Sequence, residues 1–145
     1  MIFLGLDFGE VRIGVAKSDP MGIIVQPLAV IEAKDQAKAL DGIRRLVEEE
    51  HIDKIIVGLP KKLNGTFSQT TQRVLEWVSY LQKNLAVPVE TWDERLSSKE
   101  AERVLLEGDL SRRKRKQHID KISAQIILKS YLDANLPQQG ADGDA

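Results

Sequence analysis

Near Asp35 the hydrophobic pattern of this chain changes period, and that change limits the folds open to it more than any other feature. Before it, apolar residues fall with the spacing of strands. After it, they fall with the spacing of helices, interrupted by short apolar runs. Residues 2–8 read as one strand and 11–17 as a second, returning after the "FGE" turn. In the second, Val11, Ile13 and Val15 alternate with Arg12, Gly14 and Ala16, the pattern of a half-buried strand. A third strand is expected near Ile24 to Ile31, with Pro27 marking an edge or a break. Leu40, Ile43 and Val47 then share a helical face, with Asp35 as the cap. "DKIIVGLP" is a continuous apolar run of the buried parallel kind. "KKLNGTFS" reads as a loop from its Asn-Gly pair. Val74, Val78, Leu81 and Leu85 mark the next helix, and "VPVETW" a fifth strand. Ser97 and Glu100 have capping-box spacing and open a helix that stops at Gly108. A last helix is expected from about Lys116 to Asp133.

The order β-β-β-α-β-α-β-α-α implies a mixed sheet with helices on both faces. In such sheets ligands gather at the carboxyl ends of the parallel strands. A length of 145 residues suits one domain, taken as 1–136, with 137–145 expected to be a disordered tail. The chain has no cysteine, which excludes disulfides, thiolate zinc sites and a cysteine nucleophile. The N-terminal apolar run is broken by Asp7 and has no basic leader, unlike a signal peptide. No stretch is long enough to span a bilayer, so no membrane role is expected. Net charge is −1, so any nucleic-acid contact must come from local clustering, foremost "RRKRK" at 112–116.

Asp7 closes the first strand, where burial argues for another aliphatic residue. Asp93 and Glu94 close the fifth, also at a carboxyl end. Neighbouring strand residues face opposite sides, so only one of that pair is expected to face Asp7, and periodicity does not choose between them. Asp120 lies within about 20° of Ile127 and Tyr131 on the last helix, with Ala124 on the same face. Converging carboxylates repel and need a cation, and all-oxygen donors favour Mg²⁺ or Mn²⁺ over zinc. Three acids around one or two such ions suit phosphodiester hydrolysis. The bare strand face at Gly5, Gly14 and Ala16 leaves room for a sugar-phosphate backbone or a helix. Each residue also has a plainer reading. Asp7 suits a turn, Asp93 and Glu94 a solvated loop, Asp120 a first-turn acid, and "RRKRK" a solvated face. His51 and His118 read as surface residues, Trp77 and Trp92 as core.

"GLDFGEVRIGVAKSD", "IIVGLPKKLNG", "DERLSS" and "HIDKISAQIILKSYLD", in this order, resemble the YqgF/RuvX family, from about residue 2 to 133. Its members are RNase H-like proteins described as pre-16S ribosomal RNA nucleases and, earlier, as Holliday junction resolvases. The resemblance implies strand order 3-2-1-4-5 and a metal-dependent acidic site of Asp7, Glu94 and Asp120, holding Mg²⁺ or Mn²⁺. Expected phosphate contacts are Arg12, Lys61, Lys62, Arg95, Arg112, Arg113, Lys114, Arg115 and Lys116. The leading expectation is a cytoplasmic nuclease maturing the 5′ end of pre-16S ribosomal RNA, as a monomer or weak homodimer. The rivals are a resolvase of branched DNA and a non-catalytic nucleic-acid-binding protein. An actin-like sugar kinase would need a second domain that this length does not supply. The chain departs from the family pattern at Asn64, at Ser97 or Ser98, and at Ser123, none of them a proposed metal ligand.

Overall fold

A computed structural model describes residues 1–61, 68–96 and 112–136, leaving aside the side chains of Leu96 and of 112–120. Its elements are β1 (Phe3–Phe8), β2 (Arg12–Ser18), β3 (Val25–Glu32), α1 (Gln36–Glu49), β4 (Lys54–Leu59), α2 (Gln69–Asn84), β5 (Val89–Asp93), a 3₁₀ turn (Glu94–Leu96) and α3 (Arg112–Asn135). The five strands form one sheet in the order β3-β2-β1-β4-β5. β1–β2 and β2–β3 pair antiparallel, while β1–β4 and β4–β5 pair parallel. The expected helix at 97–108 and tail at 137–145 lie outside the described residues.

Side-chain alternation divides the core in two. Leu4, Leu6 and Phe8 of β1 pack with Leu40 and Ile43 of α1 and Val74, Trp77 and Leu81 of α2. Phe3 of β1, Ala16 of β2 and Ile56 of β4 pack on the other face with Ala124, Ile127, Leu128 and Tyr131 of α3. The second strand is therefore buried on both faces, not half-buried, because α3 covers the small residues Gly14 and Ala16. Val11, expected to point inward, is 58% exposed, because β2 begins one residue later. Pro27 sits on the edge strand, next to a register shift at Val15/Ala16. Trp77 is core, stacked on Phe8 at 4.9 Å between ring centroids.

Local chemistry sets the helix ends. Asp35 Oδ1 accepts from the Lys38 amide at 3.2 Å and caps α1. α1 ends with His51 at φ 54°, the left-handed conformation usual just past a helix C-terminus. Ser68 and Thr71 form a reciprocal capping box at the start of α2. The last helix starts at Arg112 rather than Lys116. Arginine and lysine are good helix formers, so a basic run continues a helix instead of preceding it. Among the described residues no helix is long and apolar enough to cross a membrane.

At the amino-terminal ends of β4 and β5, Lys54 forms an ion pair with Glu90, and the Tyr131 hydroxyl donates to Glu90 Oε2 at 3.1 Å. The Lys54 ammonium, and then the Tyr131 hydroxyl, hold the Glu90 carboxyl below its ordinary range. Such a group adds stability that is fully present above its unfolded pKa and lost as pH falls through the folded one. Glu90→Gln is thus expected to lower stability at pH 7, with the gap narrowing as pH falls below the ordinary glutamate range and through the lowered folded-state pKa. Urea unfolding of both proteins along a falling pH series checks this, and a gap that stays constant with pH would disprove the coupling.

Candidate active site

β1 is buried along its length except at Asp7, which is half-buried. Asp7 pairs with Gly14 across the hairpin and follows Phe3 and Gly5 on the face toward α3. On β4 that face carries Ile56 and then Gly58. The parallel ladder runs from Phe3↔Lys54 to Leu6↔Val57, so its next step sets Asp7 beside Gly58. On β5 the same face carries Glu90, bonded to Tyr131, and Trp92, whose Nε1 donates to Ser130 of α3 at 3.0 Å. Two residues on comes Glu94, whose Oε1 lies 2.9 Å from where a Cβ on Gly58 would stand. The bare backbone of Gly58 thus seats the Glu94 carboxylate beside the end of β1 that carries Asp7.

Asp93 belongs to a different set of contacts. Its Oδ1 accepts from the Arg95 amide at 2.9 Å, and its Oδ2 from Arg95 Nη2 at 2.7 Å. Arg95 Nε lies 3.1 Å from both oxygens, and Lys61 Nζ is 3.8 Å away. The Arg95 guanidinium holds the Asp93 carboxyl below the usual range. The choice that periodicity left open is thereby a geometric one: Glu94 lies on the α3 side over Gly58, and Asp93 turns to Arg95 and Lys61.

α3 carries the sequence from Tyr131, 5.9 Å from the Phe3 ring, to Leu128 and Ala124 at Gly5. A Cβ on Gly5 would stand 2.8 Å from Leu128 Cβ and 3.0 Å from the Ala124 carbonyl oxygen. The bare strand face at Gly5 therefore takes a helix, not a sugar-phosphate backbone. Toward its N-terminus α3 thus advances along β1 in the direction of Asp7, and position 120 lies four residues, about 6 Å, before Ala124. The Asp120 side chain lies outside the described residues. Among the described residues no three His, Cys, Asp or Glu side chains form a metal-holding group.

The expected phosphate contacts are spread around this end of the sheet. Arg12 opens β2, its carbonyl accepting from the Gly9 amide at 2.8 Å. Lys61 follows β4, and Arg95 lies in the 3₁₀ turn after β5. Arg112, Arg113, Lys114, Arg115 and Lys116 occupy the start of α3, with side chains outside the described residues, as is Lys62. Sequence reasoning missed two residues near the site. Gly58 had a visible signal, a glycine inside a buried strand. Arg73 had none: its Nη1 reaches from α2 to the Gly9 carbonyl at 3.4 Å, which ties the helix to the β1–β2 turn.

The profile of the RuvX family, described as a Holliday junction resolvase, matches residues 1–134. A Syntrophomonas wolfei protein named "Putative pre-16S rRNA nuclease" is 50% identical over 133 residues, 92% of this chain and 94% of that one. A Halothermothrix orenii protein of the same name is 46% identical, over 92% and 95% of the two chains. Among solved structures, Thermus thermophilus RuvC superposes with a TM-score of 0.57 at 14% identity, covering 94% of this chain and 96% of that one. That likeness shows the RNase H-like fold.

Proposed function

The chain belongs to the RuvX family, and from that premise we propose that it is a metal-dependent nuclease that processes the 5′ end of pre-16S ribosomal RNA in the cytoplasm. The observation that carries this reading is the seat of Glu94 over Gly58, beside the end of β1 that carries Asp7. The donors are carboxylate oxygens alone, which suits a hard cation, Mg²⁺ or Mn²⁺. Asp7, Glu94 and Asp120 would hold it. When bound, such an ion supplies Lewis acidity to the scissile phosphate and its attacking water. The chain itself supplies three things. Asp7 is fixed by a strand buried on both sides, Glu94 by its seat on β4, and position 120 by the docking of α3 on Gly5. This rigidity keeps the acids at a set spacing despite their mutual repulsion, and it aligns substrate without reorganisation at the moment of reaction.

Basic side chains at a helix N-terminus oppose the helix dipole, and a bound phosphate relieves that conflict. The run 112–116, with Lys61 and Lys62, therefore suits backbone phosphates in a sequence-independent contact. Arg12 and Arg95 flank the same end of the sheet. Each phosphate contact on a single strand adds roughly 0.7 to the salt slope of binding. Arg113→Gln with Arg115→Gln is expected to weaken RNA binding at all sequences alike and flatten that slope by about 1.4. Filter binding across a salt series checks this. An unchanged affinity and slope would mean that these side chains touch no phosphate.

The deciding experiment incubates the purified protein with precursor ribosomal RNA and with a four-way DNA junction, each with Mn²⁺, Mg²⁺ or chelator. Metal-dependent cleavage of the precursor supports the reading. Cleavage of the junction alone would favour the resolvase reading that the family's description carries. RNA binding with no cleavage under any condition would overturn the enzyme.

A further inference from the structure

We propose that Asp93 is a positioning residue that, with Arg95, clamps the 3₁₀ turn and so aims Glu94 over Gly58. This rests on the nuclease reading for its consequence and on the contacts around Asp93 for its geometry. The turn Glu94–Leu96 is a single one, and isolated 3₁₀ turns have little stability of their own. Three sets of contacts hold it. The Arg95 amide donates to Asp93 Oδ1 at 2.9 Å, a local turn made by an aspartate with the chain two residues on. The Arg95 guanidinium closes on both oxygens of the same carboxylate, at 3.1 Å through Nε and 2.7 Å through Nη2. Lys61 Nζ, at 3.8 Å, ties the exit of β4 to the same point. Glu94 lies between the two clamped residues, so its backbone is fixed on both sides while its side chain points to the opposite face. The Asp93 side chain is 17% exposed and that of Arg95 36%, so the carboxylate is the more sheltered partner of the pair. The clamp also joins β4 and β5, the two strands whose ends form the seat of Glu94.

The test compares Asp93→Ala, Asp93→Asn and Arg95→Ala in the full chain. The readouts are single-turnover cleavage at saturating RNA, RNA affinity, Mn²⁺ binding by calorimetry, and thermal unfolding. Residues that support metal ligands typically cost 10–100-fold in metal affinity or activity when removed. Asp93→Ala is expected to lose cleavage rate and Mn²⁺ affinity by about that factor, with RNA affinity retained. Asp93→Asn keeps an acceptor for the Arg95 amide and should recover part of both. Arg95→Ala breaks the clamp from its other side and should match Asp93→Ala in cleavage rate and Mn²⁺ affinity, whatever it does to RNA affinity, which keeps the proposal testable if Asp93→Ala fails to fold. Unchanged rate and Mn²⁺ affinity in Asp93→Ala would overturn the clamp. So would an Arg95→Ala variant that loses only RNA affinity, since Arg95 would then be a phosphate contact alone. If the unaltered protein cleaves nothing, the nuclease reading fails, while Mn²⁺ binding still decides the clamp.

Discussion

Asp7→Asn is expected to abolish phosphodiester cleavage and leave the fold intact. The substitution keeps the side chain's shape and removes its charge, so no packing on the α3 face is lost. A residue that only supports a metal ligand is worth 10–100-fold, and a ligand itself should exceed that, so the loss is put at about a hundredfold or more. Stability should hold or rise. Asp7 is a carboxylate in a strand otherwise buried, beside the seat of a second carboxylate, and neutralising one member of such a pair relieves repulsion. Single-turnover cleavage of precursor RNA with Mn²⁺ and urea unfolding of the same sample give the two halves of the result. Cleavage within tenfold of the unaltered protein would remove Asp7 from the chemistry. A collapse in stability would mean that its charge is structural instead.

How much of this was readable in advance depends on how local each signal is. The strands announced themselves because an apolar run such as "KIIVGL" has no other use than burial on two faces, and the observed order β3-β2-β1-β4-β5 is the one the family resemblance implied. The Asp35 cap was equally local, a matter of one side chain and the helix it opens. The start of α3 was misjudged for a physical reason: five charged residues look like a loop by polarity, but their long unbranched side chains favour a helix. The choice between Asp93 and Glu94 was hidden because it depends on which face α3 covers, a long-range fact. In the structure Glu90 and Trp92 touch α3, so Glu94 follows them by alternation even though the strand ends at Asp93. The partnership of Asp93 with Lys61 was hidden for the same reason, since the residues are brought together only when β4 pairs with β5.

Two glycines facing α3 should fail in different ways when a methyl group is added. At Gly5 the new Cβ would meet Leu128 Cβ at 2.8 Å and the Ala124 carbonyl oxygen at 3.0 Å. Neither atom can swing aside by a rotamer change, so α3 must lift from β1. Overpacking of this kind costs about 1–3 kcal/mol. Gly5→Ala is therefore expected to lower stability by that amount. At Gly58 the new Cβ would overlap Ile127 Cδ1 and would stand 2.9 Å from Ile127 Cγ1 and 2.9 Å from Glu94 Oε1. Glu94 can swing aside, but Ile127 is β-branched on a helix and only 3% exposed, so relief on that side must move packed core. Gly→Ala also restricts the unfolded chain, worth about 0.4–1 kcal/mol in the opposite direction. That gain applies equally at Gly5, so Gly58→Ala should also lose stability, by up to about 3 kcal/mol. Its functional effect comes in addition, because part of the relief moves the Glu94 carboxylate off its seat. Catalytic constellations tolerate little displacement: a shift of about 1 Å can cost on the order of a hundredfold in rate. Both variants should thus unfold early, but Gly58→Ala displaces Glu94 directly, while Gly5→Ala acts by lifting α3 and with it position 120. Urea titration and single-turnover cleavage of both variants, below their unfolding midpoints, make the comparison. A Gly58→Ala protein that cleaves at the unaltered rate would show that the placement of Glu94 over β4 has no part in the chemistry.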